Sequence, residues 1–144
     1  MSTTEIQPIR VLLVDDHPVV RAGLAMVIES HEGLEIVGEA QNRAQAIALA
    51  EHQQPDIILL DLDLGGESGL DLLPELLEAA KETRVLILTG LRDREAHRRA
   101  IRLGAMGVIF KDKANEVIIS AIMSAHAGEV WIDRSLMKDL LAED

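Results

Sequence analysis

The amino-acid sequence predicts an α/β fold, with one doubly wound parallel sheet of five strands and helices on both of its faces. Three observations lead there. Five short apolar runs alternate with amphipathic, helix-like segments along the chain. Four of those runs are apolar almost throughout rather than at every second position, as strands buried on both faces are. The connections are short, and regular β-α alternation implies right-handed crossovers. In such folds the functional crevice lies at the carboxyl ends of the strands, near a point where strand order reverses.

The first run is Ile9 to Val14. Pro18 suits a first helical position, so a helix is expected from about Pro18 to Ser30. The second run, Glu35 to Ala40, is short and partly polar, as an edge strand would be. Asn42 can cap a helix over about Arg43 to His52, whose Ala44, Ile47, Ala48 and Ala50 form a narrow apolar face. Pro55 punctuates before the third run, Ile57 to Leu60. After Gly65-Gly66, Ser68 is the expected cap of a leucine-rich helix reaching about Ala80. Pro74 lies inside that pattern, so the helix is expected to kink there or to start close to it. The fourth run is Val85 to Leu88. An arginine-rich helix should follow from about Arg94 to Leu103 and stop at Gly104. The fifth run is Val108 to Phe110. A last long helix spans about Ala114 to Ala127 and ends at Gly128. Val130-Trp131-Ile132 then leads to Ser135, read as the cap of a short terminal helix, Leu136 to Ala142.

Composition narrows the functional classes. A chain of 144 residues favours one domain, and 48% hydrophobic residues suffice for a core. That core must be aliphatic, because Phe110 and Trp131 are the sole Phe, Trp or Tyr residues. With no cysteine, disulfide scaffolds and cysteine-based metal or redox sites are excluded. No apolar run approaches the roughly 20 residues of a membrane span. The polar Met1-Ser2-Thr3-Thr4-Glu5 start lacks the plan of a signal peptide, so a soluble cytoplasmic protein without membrane contact is expected. A net charge of −11 argues against DNA binding by bulk charge. It also means that a bound phosphate needs local positive charge.

Four apolar runs end on polar residues: the first on Asp15-Asp16, the third on Asp61, the fourth on Thr89 and the fifth on Lys111. In a parallel sheet all five side chains gather at one edge. Asp15 or Asp16 alone would read equally well as a helix cap, Thr89 alone as structural and Lys111 alone as solvated. Together, in the order Asp-Asp, Asp, Thr, Lys, they read as a functional set. Two unit charges 4 Å apart repel by about 4 kcal/mol at an effective dielectric of 20, so three clustered carboxylates call for a cation. Oxygen ligands select Mg²⁺, Mn²⁺ or Ca²⁺. A carboxylate can also attack a phosphoryl donor, with metal, ammonium and hydroxyl stabilising the transferred oxygens. Asp61 is then the expected nucleophile, Lys111 and Thr89 the phosphoryl contacts, and Asp15 and Asp16 the metal holders.

This order and spacing resembles the receiver domain of two-component response regulators over about Ile9 to Ile132. Val11-Leu12-Leu13-Val14-Asp15-Asp16-His17 looks like the family's acidic-pair strand and Ile58-Leu59-Leu60-Asp61-Leu62 its phosphoacceptor strand. Leu88-Thr89-Gly90 and Phe110-Lys111-Asp112 look like its switch-hydroxyl and lysine segments. His17, Lys111-Asp112 and Ala127-Gly128-Glu129-Val130-Trp131 resemble the NarL/FixJ (LuxR-type) subgroup. The resemblance implies a flavodoxin-like (βα)₅ fold with strand order 2-1-3-4-5. It implies that a sensor histidine kinase phosphorylates Asp61. Asp16, Asp61 and the backbone carbonyl of Asp63 would ligate Mg²⁺ (or Mn²⁺), with Asp15 acting mainly through water. Thr89 would swing toward the phosphoryl group and move the surface of the fourth helix, fifth strand and fifth helix, also a possible homodimer face. Such a domain is not an enzyme beyond self-phosphorylation from small donors and slow self-dephosphorylation.

Three departures stand out. Gly65 replaces the proline common four residues after the phosphoacceptor, and with Gly66 beside it the loop is expected to be more mobile. Val108 replaces the aromatic residue frequent three before the lysine. Asp112 follows Lys111 where many receivers have proline. The Asp63 side chain adds a fourth acid, readable as a contact to the site or as a solvated loop group. Arg92, Arg94, Arg98, Arg99 and Arg102 crowd the fourth helix, readable as a solvated face or as a docking surface for acidic groups.

Residues 1–8 are expected to be a flexible N-terminus, 9–132 the receiver, and 133–144 the start of a linker helix toward an absent effector domain. The subgroup usually carries a C-terminal helix-turn-helix there, which would supply the contact with DNA and a transcriptional output. A stand-alone receiver acting in trans is the alternative. A haloacid-dehalogenase-type phosphatase would use Asp61-Leu62-Asp63 but requires the acidic pair late in the chain, not before the nucleophile. A flavodoxin-type carrier needs a Ser/Thr/Gly phosphate loop and flavin-stacking aromatics, and has neither here.

Overall fold

The computed structural model describes residues 7–90 and 93–141. Strand β1 (Ile9–Val14) leads to helix α1 (Pro18–Glu29), β2 (Leu34–Ala40), α2 (Arg43–Gln53) and β3 (Ile57–Asp61). A small pair of strands, β4 (Asp63–Leu64) and β5 (Glu67–Ser68), precedes α3 (Gly69–Ala79). Then come β6 (Arg84–Thr89), α4 (Arg94–Arg102), β7 (Gly107–Phe110), a 3₁₀ turn at Lys111–Lys113, α5 (Ala114–His126), β8 (Trp131–Ile132) and α6 (Arg134–Leu141). The main sheet runs β2-β1-β3-β6-β7-β8, and every pairing in it is parallel. Its first five members are the expected 2-1-3-4-5 order.

Strand alternation explains why the runs are apolar on both parities. Val11 and Leu13 of β1, Ile57 and Leu59 of β3, Leu86 and Leu88 of β6 and Ile109 of β7 share one core with Leu24 and Ile28 of α1 and Ile118 and Ile122 of α5. Leu12, Val14, Ile58, Leu60, Val85, Ile87, Val108 and Phe110 share the opposite core with Leu72, Leu73 and Leu76 of α3 and Ala100 of α4. The sheet is therefore covered on both faces, and its polar strand ends emerge together. Arg84 adds a clamp from below: its Nη1 donates to the carbonyls of Ala125 (3.0 Å) and His126 at the end of α5. A cation there complements the helix dipole.

Two expected caps are in place: Asn42 accepts from Gln45 N at 2.9 Å, and Ser68 accepts from Leu70 N at 3.2 Å. Other expectations need correction. Helix α3 starts at Gly69 and runs through Pro74, which is not its beginning. Gly65 and Gly66, with φ of 56° and 95°, form the tight turn between antiparallel β4 and β5. Two consecutive positive φ values are what a type I′ hairpin turn demands, so both positions suit glycine. Trp131–Ile132 supplies a sixth strand to the main sheet. Helix α6 begins at Arg134, with Met137 N donating to Asp133 O at 2.8 Å, so Ser135 lies inside the helix rather than capping it. Buried Leu136 joins the core on the α3/α4 face, so this helix lies against the domain. Residues 1–6 of the expected flexible N-terminus, Arg92 of the arginine cluster and the last residues, 142–144, lie outside the described residues.

Candidate functional site

Strand order reverses between β1 and β3, and the polar ends of both strands open on that crevice. Register places Val14 opposite Leu60, so Asp15 follows level with Asp61. On the other side Asp61 is opposite Leu88, which sets Thr89 one residue further along β6. Thr89 is in turn opposite Phe110, the residue before Lys111. Alternation gives Asp61 and Lys111 the parity of the α1/α5 face, and Thr89 and Phe110 the parity of the α4 face.

The contacts follow that sorting. Lys111 Nζ donates to Asp61 Oδ2 at 2.7 Å and lies 3.8 Å from Asp15 Oδ2. Asp61 Oδ1 accepts the backbone N–H of Asp63 at 3.0 Å. Asp15 Oδ1 accepts the backbone N–H of His17 at 2.8 Å, and the Asp15 carbonyl accepts Arg21 Nη1 at 2.7 Å. Asp16 is half-buried, and its Oδ2 would stand 2.8 Å from a Cβ placed on Gly65. The hairpin turn therefore needs glycine not only for its φ but also for room beside Asp16.

Asp15, Asp61 and Thr89 are buried, while the Lys111 side chain is 18% exposed. Burial raises the Asp61 pKa above the ordinary carboxylate value; the Lys111 hydrogen bond opposes that rise, as does the Asp63 N–H, and the charge of Asp15 adds to it. Asp15 Oδ2 and Asp16 Oδ1 are buried oxygens that accept no hydrogen bond among the described residues. Buried carboxylate oxygens without a hydrogen bond are costly unless a cation neutralises them. Asp15, Asp16, His17 and Asp61 each offer one ligand atom within 4.8 Å of the others, so the residues present fit a divalent ion.

The structure thus brings Asp15, Asp16, Asp61 and Lys111 together as expected, with Thr89 on the adjoining strand. The Asp63 side chain is exposed and is joined to the site through its backbone N–H. Sequence reasoning assigned no chemistry to His17, whose Nδ1 lies 3.1 Å from Asp16 Oδ1 and 3.3 Å from Lys111 Nζ. Its place directly after the acidic pair was the available signal. Arg21, one turn into α1, was also missed; it holds Asp15 from behind and pairs with Glu39 at 3.0 Å. In α4 the arginines Arg94, Arg99 and Arg102 are exposed, and Arg102 pairs with Glu95 at 2.9 Å. The deepest residues of that helix are His97 and Ala100, with Ile101 and Leu103 partly buried against the core.

Comparison with known proteins agrees with this geometry. The family model of the response regulator receiver domain matches residues 11–123. The nitrate/nitrite response regulator NarL of Escherichia coli (strain K12) is 37% identical over 136 residues, which span 94% of this chain and 63% of that protein. A LuxR-family two-component response regulator from Aurantimonas sp. SI85-9A1 superposes with a TM-score of 0.86 at 29% identity, covering 93% of this chain and 96% of that one. A response regulator from Burkholderia pseudomallei, solved with a phosphorylated aspartic acid, a calcium ion and citrate, gives 0.73 at 29% identity over 83% of this chain and 69% of that one. A parallel sheet in this order, an acidic pair facing a strand-end aspartate and lysine, and these likenesses together make the chain a member of the response regulator receiver domain family, in its NarL-like, LuxR-type branch.

Proposed function

We propose that Asp61 accepts a phosphoryl group from a sensor histidine kinase in a Mg²⁺-dependent reaction and that the modification switches a partner or dimer surface. The observation that carries this reading is the 2.7 Å contact of Lys111 Nζ with Asp61 Oδ2 beside Asp15 Oδ2, a buried carboxylate oxygen that accepts no hydrogen bond among the described residues. A carboxylate oxygen of Asp61 attacks phosphorus, and the bond from phosphorus to the donor breaks with its electrons leaving on the donor. Lys111 then pairs with a phosphoryl oxygen, and the Thr89 hydroxyl donates to another. Asp16, Asp61 and the backbone carbonyl of Asp63 hold Mg²⁺ or Mn²⁺, with Asp15 acting mainly through water. When bound, that ion supplies positive charge to the transferred oxygens. The phosphorylated homologue from Burkholderia pseudomallei supports the chemistry.

The rest of the reading follows from the family. Thr89 moves toward the phosphoryl group and shifts the surface of α4, β7 and α5, which serves a partner or a second copy. On this reading residues 9–132 form the receiver, and 133–144, whose α6 packs on it, are the start of a linker helix toward a helix-turn-helix through which DNA is bound and transcription controlled; the alternative is a stand-alone receiver acting in trans. The protein is a cytoplasmic regulatory phosphoacceptor rather than an enzyme. No helix among the described residues is long and apolar enough to cross a membrane. Incubation with acetyl phosphate and Mg²⁺, followed by intact-mass measurement, tests the proposal. One added phosphoryl group is expected, absent in Asp61→Asn and absent with chelator. Equal modification of Asp61→Asn would overturn it.

A further inference from the structure

The arginines of α4 have a counterpart one helix away. Helix α4 carries Arg94, Arg98, Arg99 and Arg102 against the single acid Glu95, whereas α3 carries Asp71, Glu75 and Glu78 and no cation. On α4, Arg94, Arg98 and Arg102 recur every fourth residue, which sets them in one ridge about 12 Å long. On α3, Asp71 and Glu78 share one side with Pro74 between them, roughly 10 Å apart along the axis. Asp71, Pro74, Glu78, Arg94, Arg99 and Arg102 are exposed. The two helices touch, and both cover the same sheet face. Each crosses between parallel strands, so they run in the same direction. Ridges of opposite sign and nearly equal length thus lie side by side.

We propose that the α3–α4 layer is a self-complementary face on which a second copy of this chain docks about a two-fold axis. An axis lying between the two helices and along their direction lays α3 of each copy over α4 of the other. Asp71, in the first turn of α3, then stands level with Arg94, the first residue of α4, and Glu78 with Arg102. Symmetry makes each contact twice. Charge selects this axis, because the perpendicular one would set acid on acid and arginine on arginine. The flanks agree. Helix α2 borders α3 and α6 borders α4, so the same axis sets α6 over the groove between α2 and α3. That groove is lined by apolar Ile47, Pro74 and Ala79 and by Glu51, Glu75 and Glu78, while α6 exposes Arg134, Met137 and Lys138. It already receives one guanidinium, since Arg43 Nε donates to Glu75 Oε2 at 2.8 Å. Exposed ion pairs are individually weak, so the apolar lining and the arginine stems supply contact beyond charge. The face uses α4 but neither β7 nor α5. It belongs to the unmodified chain and does not depend on the phosphoryl-transfer reading.

Sedimentation equilibrium of the whole unmodified chain, over rising concentration, tests the inference. Wild type should pass from one chain toward two and level off there. An α3 variant, Asp71→Lys with Glu78→Lys, and an α4 variant, Arg94→Glu with Arg102→Glu, should each lose at least about tenfold in self-association, because like charges then face one another. Mixed in equal amounts, they should associate with each other about as well as wild type does with itself. The α3 lysines then meet the α4 glutamates, and the two native ridges meet as before. Each variant shifts the net charge of −11 by only four, so both stay negative and bulk attraction cannot imitate that rescue. Thermal unfolding checks the fold. Where a reversal does not fold, Asp71→Asn with Glu78→Gln, or Arg94→Gln with Arg102→Gln, takes its place and should still weaken association. A wild type that stays a single chain up to about 1 mM, growth beyond two chains, loss with one variant alone, or a mixture that does not associate would each overturn the inference. Acetyl-phosphate modification, followed on the same samples, reports separately on Asp61, so either reading can fail without the other.

Discussion

His97 and Phe110 meet edge to face, with ring centroids 5.7 Å apart and planes inclined at 72°. Both are buried. Phe110 is the register partner of Thr89, so its ring joins the strand end carrying the hydroxyl to helix α4. Val108, two residues earlier, points into the same core. Phe110 thus stands one pleat along the same face from Val108, where a histidine of α4 receives its ring.

Phe110→Ala should therefore cost about 3–5 kcal/mol, as for other buried aromatics. A double-mutant cycle with His97→Ala, read by urea unfolding, should return a coupling of about 0.5–1.5 kcal/mol for the ring pair. Strict additivity would show two neighbours without mutual preference.

Gly65→Ala should weaken Mg²⁺ binding, because its Cβ would come 2.8 Å from Asp16 Oδ2 at a φ of +56°. Gly66→Ala, also at positive φ but with open space, is the control for backbone strain. Each should lose about 1–2 kcal/mol of stability from the left-handed conformation. Gly65→Pro should destabilise further, since its φ is locked near −65°. Calorimetric Mg²⁺ titration separates the first pair; equal affinities would dismiss the steric argument.

Gly69→Ala reaches the acceptor strand itself. Its Cβ would fall 2.5 Å from the Asp61 carbonyl oxygen and 2.8 Å from Leu62 Cα, both backbone atoms that cannot rotate away. A loss of about 1–3 kcal/mol is expected, as for an overpacked core. Slower acetyl-phosphate modification should accompany it. Normal stability by thermal unfolding would contradict the close approach.

Asp61→Asn should stabilise the metal-free domain at neutral pH. Burial raises the Asp61 pKa despite the Lys111 hydrogen bond, so the folded state holds the proton more tightly than the unfolded one. Such a group lowers stability once pH exceeds the raised folded value, and the deficit disappears below the ordinary carboxylate value. The advantage of Asn should thus shrink as chelated samples are acidified. Mg²⁺ at neutral pH should narrow it too, by stabilising the wild type. Denaturant midpoints measured across pH decide the matter.

What the amino-acid sequence makes legible depends on length and burial. Ile57 to Asp61 is apolar until its last residue because both faces are covered, and that pattern is visible in any single chain. Asn42 and Ser68 announce their helices because capping is local chemistry. The β4–β5 pair escaped notice because two-residue strands have no periodicity, and glycine pairs signal a turn without naming its partners. His97 was lost among arginines, since hydropathy cannot tell a buried histidine from a solvated one. The reach of His17 into the pocket depends on the extended backbone before Pro18, which no spacing rule encodes.

The short strand β8 carries a consequence for the company this molecule keeps. Trp131 lies against Gly107, whose missing side chain allows the Trp131 carbonyl within 2.4 Å of where a Cβ would stand. Without that cover, Gly107 and Val108 would offer their hydrogen-bonding groups to any passing extended segment. At the opposite border, β2 interrupts its register and presents Glu35 and Glu39 outward. One border thus ends in a strand of only two residues and the other is irregular and charged, two devices by which a sheet resists growing across molecules. The tryptophan segment is accordingly a safeguard against strand-to-strand aggregation.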